Sequence, residues 1–198
     1  MPCENAEKNN PWRLIREELT FDCQYFAVRR DLVSHTGRAP RPYNSVRMKR
    51  HGVCVAPVDR NGCVTLVGQY RYVLDRYTWE VPGGGAPIDE LALDVAKAEL
   101  SEETGLRADH WLKIVEGSVS PGTADEIVPS YVAWGIHRGE PHPDPEERLS
   151  LRVVPFAEAV AMALHGQISN LPGVALLLGI QVRLQRGDLP GSLVSLLS

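Results

Sequence analysis

Four glutamates lie in one predicted helix within the stretch EVPGGGAPIDELALDVAKAELSEETGL, which runs from residue 80 to residue 106. They are Glu90, Glu99, Glu102 and Glu103. Residues four positions apart share a helix face, so Glu99 and Glu103 project together and repel each other by about 0.2–0.5 kcal/mol. The helix dipole also disfavours acids at this C-terminal end. Because both local effects disfavour this acidic cluster, a bound divalent cation such as Mg²⁺ is the better explanation. A solvated acidic face remains the alternative.

The composition indicates a globular protein that is long enough to bury a core. The chain has 198 residues, 43% of them hydrophobic and 23% charged, and a net charge of −4. It contains no basic cluster of the kind that binds nucleic acid and no run of about 18 apolar residues that could span a membrane. The start, MPCENAEKNNPWRLI, lacks a signal pattern. We therefore expect a cytoplasmic protein with no nucleic-acid or membrane partner.

The hydrophobic pattern predicts many strands and few helices. Alternation over residues 12–46 predicts two or three antiparallel strands, too few to be stable alone. A hairpin is predicted where HGVCVAPVD and CVTLVGQYRY flank the turn DRNG. Further strands are predicted at TWEVPGGG, WLKIVEGSV, IVPSYVAWGIH and LSLRVVP, and further helices over 156–165 and 172–186. This mixture indicates an α+β protein or an α/β/α sandwich.

The helix that carries the acids is the clearest element of the sequence. Its pattern predicts a helix over Asp89–Thr104, with Leu91, Val95 and Ala98 facing inward. Gly105 follows at the position where glycine commonly ends a helix. The glycines GGG before the helix allow the backbone to approach the acids without side-chain obstruction.

The glycine turn and the acids resemble the signature of the Nudix family, G-x5-E-x7-R-E-U-x-E-E-x-G-U, where U is bulky and apolar. The pattern begins here at Gly84 and ends at Leu106, and every defining position matches except Ala98, which replaces the arginine. A match at many fixed positions is far more specific than a lone glycine motif. The resemblance implies an α/β/α sandwich with a mixed β-sheet. It also implies hydrolysis of a nucleoside diphosphate derivative with Mg²⁺ or Mn²⁺.

The resemblance also implies roles for individual residues. Glu99 and Glu103 correspond to metal ligands, Glu102 to a frequent additional ligand, and the Gly83 carbonyl to a backbone ligand. Glu102 and Glu103 are also candidate catalytic residues. Such a site fits the chemistry, because metal ions neutralise a pyrophosphate and activate water, while a nearby carboxylate accepts the proton.

The alanine at position 98 requires an explanation. In the family, the arginine at this place is thought to hold the box glutamates in position. Lys97 does not simply replace it, because one residue along a helix turns a side chain by about 100°. The chain therefore needs a supporting cation from elsewhere, or it has reduced activity.

Segments outside the box resemble the ADP-ribose pyrophosphatase branch of the family. LVGQYRY contains Arg71, a candidate substrate contact, for which a surface cation is the alternative. WEVPGG contains Glu80, which the resemblance places beside the metal or the substrate. SPGTADE places Pro121 at the spacing typical of the branch. The general base of the branch corresponds to Glu147 in DPEERLSLRVVP, where a solvated acidic loop is the alternative.

The N-terminal part resembles a strand appendage that, in this branch, exchanges with a second subunit. Within TGRAPRPYNSVRMKRHG, Tyr43 stands where an aromatic ring stacks on the base. Asn44 replaces a glutamate that reads adenine in some members, which leaves the base preference open. We therefore expect a homodimer, with an appendage over residues 1–47 and a Nudix domain over residues 48–198.

These features together predict hydrolysis of ADP-ribose to AMP and ribose 5-phosphate. A GDP-mannose or other nucleotide-sugar hydrolase is one alternative, since the Pro-Gly signal occurs there too. A nucleotide-binding sensor with weak catalysis is the other, because of Ala98.

Overall fold

A computed structural model describes residues 10–140 and 148–198 of the chain. These residues form two compact units. The first unit extends to Lys49 and includes Ser120–Glu126, and the second consists of Arg50–Val119 and Ile127–Ser198. In the described part of the chain, no helix has the length and apolar character needed to cross a bilayer.

The first unit is built on a four-stranded antiparallel sheet. Its strands are β1 (Trp12–Arg16), β2 (Leu19–Asp22), β3 (Phe26–His35) and β4 (Arg41–Met48). The long strand β3 pairs with all three others, β1 and β2 covering different halves of it. The sequence predicts two or three strands here, and the structure divides the first alternating run into β1 and β2.

The described residues of the second unit form eight strands and four helices. The strands are β5 (Arg50–Gly52), β6 (Cys54–Val58), β7 (Cys63–Arg71), β8 (Arg76–Glu80), β9 (Gly85–Pro87), β10 (Leu106–Ser118), β11 (Ile127–Arg138) and β12 (Ser150–Pro155). The helices are α1 (Ala92–Thr104), α2 (Phe156–Leu164), α3 (Leu171–Arg186) and α4 (Gly191–Leu197). The main sheet has the order β10-β11-β6-β7-β12, with β8 on β7, and β5 pairs with β9. Because β11 and β6 run parallel and the other pairs antiparallel, the sheet is mixed, as predicted.

Both faces of the main sheet are covered by helices. Successive side chains of a strand point to opposite faces, and β6 uses both. Cys54, Ala56 and Val58 join the core beneath α2, α3 and α4, whereas Val55 joins the core beneath α1. The predicted α/β/α sandwich is therefore confirmed.

The helix α1 begins later than predicted and buries a different face. It starts at Ala92, so Leu91 precedes the helix and is 73% exposed, and Ala98 is also exposed. The inward positions of α1 are Val95, Ala96, Leu100, Glu103 and Thr104. The predicted stripe of Leu91, Val95 and Ala98 is thus wrong except at Val95. Leu91 lies before the helix, and the buried face is centred on Ala96 and Leu100, on the side of α1 opposite Ala98. Gly105 ends the helix in the left-handed conformation, with a φ of 68°, as predicted.

Replacing Leu100 by alanine tests this orientation of α1. Leu100 is fully buried, so Leu100→Ala should lower the free energy of unfolding by about 2–5 kcal/mol. The matched change Leu91→Ala should stay within about 0.5 kcal/mol of wild type, because Leu91 is exposed. Urea denaturation measures the free energy of unfolding of both variants. Equal decreases in this free energy would contradict the orientation of α1.

Candidate active site

The turn between β8 and α1 gathers two of the predicted metal ligands. The backbone N–H of Gly83 donates to Oε2 of Glu103 at 2.9 Å, and Glu103 is only 4% exposed. The α-carbon of the next residue, Gly84, lies against the carboxylate of Glu99, and a Cβ built there would overlap it. The two carboxylates therefore reach consecutive glycines, and Gly84 must lack a side chain for Glu99 to do so.

The remaining acids of the box face solvent. Glu102 is exposed on α1, next to the buried Glu103. Glu90 is exposed in the turn that precedes α1, where its N–H donates to the carbonyl of Pro87 at 3.1 Å. Of the four acids that the sequence singles out, Glu99 and Glu103 are the two that meet at the glycine turn.

The donor atoms at this turn fit a hard divalent cation. Within residues 10–140 and 148–198, no three acidic, histidine or cysteine side chains form a ready-made metal cluster. Mg²⁺ does not require one, since it is commonly bound through one or two carboxylates together with substrate phosphates and water. Glu99 and Glu103 supply the two carboxylates.

Arg71 and Glu80, which the sequence predicts separately, form one hydrogen-bonded pair. Nε and Nη2 of Arg71 donate to Oε1 and Oε2 of Glu80, each at 2.8 Å. The hydroxyl of Thr78 also donates to Oε1 at 2.7 Å. Burial alone would raise the pKa of Glu80, but the hydrogen bonds and the charge of Arg71 outweigh it and hold this pKa below the usual value.

This pair borders an open cleft of about 600 Å³. The side chain of Arg71 is 42% exposed, whereas that of Glu80 is 9% exposed. Arg71 is therefore anchored on one side and accessible on the other, unlike an isolated surface cation. Thr78 is not among the residues predicted from the sequence, although residues two apart on a strand share a face and its spacing to Glu80 indicates it.

Two further predicted residues lie in the first unit. The hydroxyl of Tyr43 donates to the carbonyl of Gly122 at 2.9 Å, which places Tyr43 beside the segment that contains Pro121. The ring of Trp12, which is not among the predicted site residues, approaches that of Tyr43 edge-on, with 5.3 Å between the ring centroids. The predicted base, Glu147, lies outside the described residues.

Comparison with known families agrees with this fold. The NUDIX domain family matches residues 48–172, which include the box and all six strands of the main sheet. The chain therefore belongs to the Nudix family, and it is a pyrophosphohydrolase of that family.

Individual relatives are similar over most of their length. An ADP-ribose pyrophosphatase of Mycobacterium tuberculosis is 34% identical over 158 residues, which cover 78% of this chain and 76% of that protein. A GDP-mannose pyrophosphatase of Yersinia enterocolitica is 27% identical over 164 residues, 77% of this chain and 84% of that protein. The crystal structure of an ADP compounds hydrolase superposes with a TM-score of 0.81 at 17% identity, covering 92% of this chain and 98% of that one, and it shows the same fold.

The Arg71–Glu80 pair should make stability depend on pH. Because the folded-state pKa of Glu80 lies below the usual 4.5, ionised Glu80 stabilises the fold above that pH and the contribution disappears as the pH falls through the folded-state pKa. Arg71→Met should cost about 1–3 kcal/mol near neutral pH, toward the lower end because Arg71 is 42% exposed.

Urea denaturation from about pH 3 to pH 7 measures this cost, which should shrink below the unfolded pKa. Arg76→Met, an exposed arginine opposite Arg71 on β8, is the matched control. A cost that stays constant over the whole range would contradict the role assigned to ionised Glu80.

A methyl group at Gly84 should displace Glu99. Gly84→Ala places a Cβ within the volume of the Glu99 carboxylate, so pyrophosphatase turnover should fall by about 100-fold, as expected for a catalytic group moved by about 1 Å. Gly117→Ala is the control, because a Cβ on Gly117 in β10 meets nothing within 4 Å. Steady-state kinetics measure the turnover of both variants, and equal turnover would contradict the contact assigned to Gly84 and Glu99.

Proposed function

We propose that this chain hydrolyses ADP-ribose to AMP and ribose 5-phosphate, with Mg²⁺ or Mn²⁺ as its metal. The observation that carries the proposal is the meeting of the Glu99 and Glu103 carboxylates at the Gly83–Gly84 turn. The 34% identity to an ADP-ribose pyrophosphatase over most of both chains supports this choice of substrate.

The turn and the end of α1 each provide ligands for the cation. Glu99 and Glu103 serve as carboxylate ligands, and the Gly83 carbonyl serves as a backbone ligand. The Gly83 N–H fixes the orientation of Glu103. When bound, the divalent cation supplies charge neutralisation for the diphosphate and activation of water. Exposed Glu102 is accessible as a further ligand or a catalytic acid.

Arg71 serves as the contact for the diphosphate or the ribose. An arginine presents a planar fork of donors that matches phosphate oxygens. Glu80 engages Nε and Nη2 of this fork on the buried side, which holds the guanidinium at the edge of the cleft. Glu80 is therefore assigned a substrate-binding role through Arg71.

The first unit supplies the contacts to adenosine. Tyr43, held by the Gly122 carbonyl, and Pro121 in the neighbouring position lie together there. Following the branch, the chain acts as a homodimer in which these residues serve the substrate of the partner. Glu147 is the proposed general base.

Hydrolysis of GDP-mannose is a second candidate. The specific observation in its favour is the similarity to the GDP-mannose pyrophosphatase of Yersinia enterocolitica, which extends over 84% of that protein. Asn44, in the place of an adenine-reading glutamate, is compatible with a different base.

Product analysis over a substrate panel tests the proposal. With Mg²⁺, ADP-ribose should give AMP and ribose 5-phosphate, EDTA should abolish the reaction, and GDP-mannose, UDP-sugars and triphosphates should react more slowly. Glu103→Gln removes a ligand charge and should lower turnover by at least about 100-fold.

Glu116→Gln is the matched control, since Glu116 pairs with Lys113 on the exposed part of β10, and it should retain wild-type turnover. Faster cleavage of GDP-mannose would select the second candidate. Nucleotide binding without any product would indicate the sensor instead.

A further inference from the structure

The residue that supports the box glutamates lies outside the box. We propose that Arg50, on β5, is the positioning residue that replaces the arginine missing at position 98. The proposal rests on the metal-dependent function proposed above, and it answers the question raised by Ala98.

Arg50 reaches the glycine turn from a neighbouring strand. In the β5–β9 pair, Arg50 lies opposite Pro87, and Gly52 lies opposite Gly85. The Nη2 atom of Arg50 donates a hydrogen bond to the Gly85 carbonyl. The side chain therefore extends back along the pair toward the start of β9, where the chain leaves the turn.

The acids meet the backbone immediately before this carbonyl. Gly84 lies against the carboxylate of Glu99, and Gly83 donates to Glu103. Consecutive α-carbons are about 3.8 Å apart, so the guanidinium is tied to the backbone one residue from the Glu99 contact. A cation at this place reduces the repulsion between the two carboxylates and holds the turn that orients them.

The helix itself offers no cation at the required place. Ala98 is exposed and carries only a methyl group. Lys97, its neighbour, donates to the Asp94 carboxylate at 3.1 Å, one turn back along α1. The last turn of α1 contains no basic residue. An arginine can occupy position 98 without displacing core side chains, and this makes a rescue experiment possible.

A double-mutant cycle separates this role from a merely structural one. The four proteins are wild type, Arg50→Met, Ala98→Arg and the double variant. The readouts are kcat and KM with ADP-ribose and Mg²⁺, and the affinity of the substrate-free protein for Mn²⁺ measured by electron paramagnetic resonance. Simple loss of a positive charge would tighten Mn²⁺ binding, whereas loss of carboxylate positioning weakens it.

We expect Arg50→Met to lower kcat and Mn²⁺ affinity by about 10- to 100-fold, as is typical for residues that orient metal ligands. With Ala98→Arg present, the same change should cost less than about 3-fold, because two residues with a shared role are not additive. Arg60→Met, in the exposed turn between β6 and β7, is the control and should match wild type.

An equal effect of Arg50→Met with and without Ala98→Arg would overturn the proposal, as would unchanged or tighter Mn²⁺ binding. If thermal melting shows that Arg50→Met does not fold, the cycle is repeated with Arg50→Lys, which keeps the charge but loses the planar fork. Failure of the proposed function appears differently: wild type would then bind no Mn²⁺ and form no product, and the assignment of Arg50 would fall with it.

Discussion

The hydrogen bond from the Gly83 N–H to the carboxylate of Glu103 is the constraint on which the site depends. A carboxylate near the C-terminal end of a helix is disfavoured by the helix dipole, and burial adds to this cost unless the group is hydrogen-bonded. Glu103 is nevertheless 4% exposed. The same turn contacts the carboxylate of Glu99 at Gly84. The conformation of the turn before α1 and the positions of the two carboxylates of α1 therefore depend on each other.

Among the described residues of the second unit, the two buried acids, Glu80 and Glu103, are each held by a donor from a neighbouring segment. Glu80 is held by Arg71 from β7 and by Thr78, whereas Glu103 is held by the turn after β8. Because β8 ends at Glu80 and leads directly into the glycine turn, the short strand links the two sets of contacts. The segment from Glu80 to the glycine turn therefore joins the cleft at Arg71 to the site of the acids of α1.

The sequence was sufficient for the features that depend on local periodicity and spacing. The hairpin of β6 and β7, the end of α1 at Gly105 and the meeting of Glu99 and Glu103 at the glycine turn are of this kind. The start of α1 was predicted too early because an apolar residue before a helix resembles its first turn. Neither α4 nor the inclusion of Ser120–Glu126 in the first unit was predicted. The bond from Arg50 to Gly85 depends on strand pairing between distant segments, which periodicity does not report.

A crystal structure with Mn²⁺ and a non-hydrolysable ADP-ribose analogue tests the central claim, that Glu99 and Glu103 are brought together to bind a divalent cation. We predict an anomalous peak that both carboxylates coordinate, at about the 2.1 Å typical of small divalent cations with oxygen ligands. Ordered analogue with a Mn²⁺ peak elsewhere, or with no peak at all, would contradict the account.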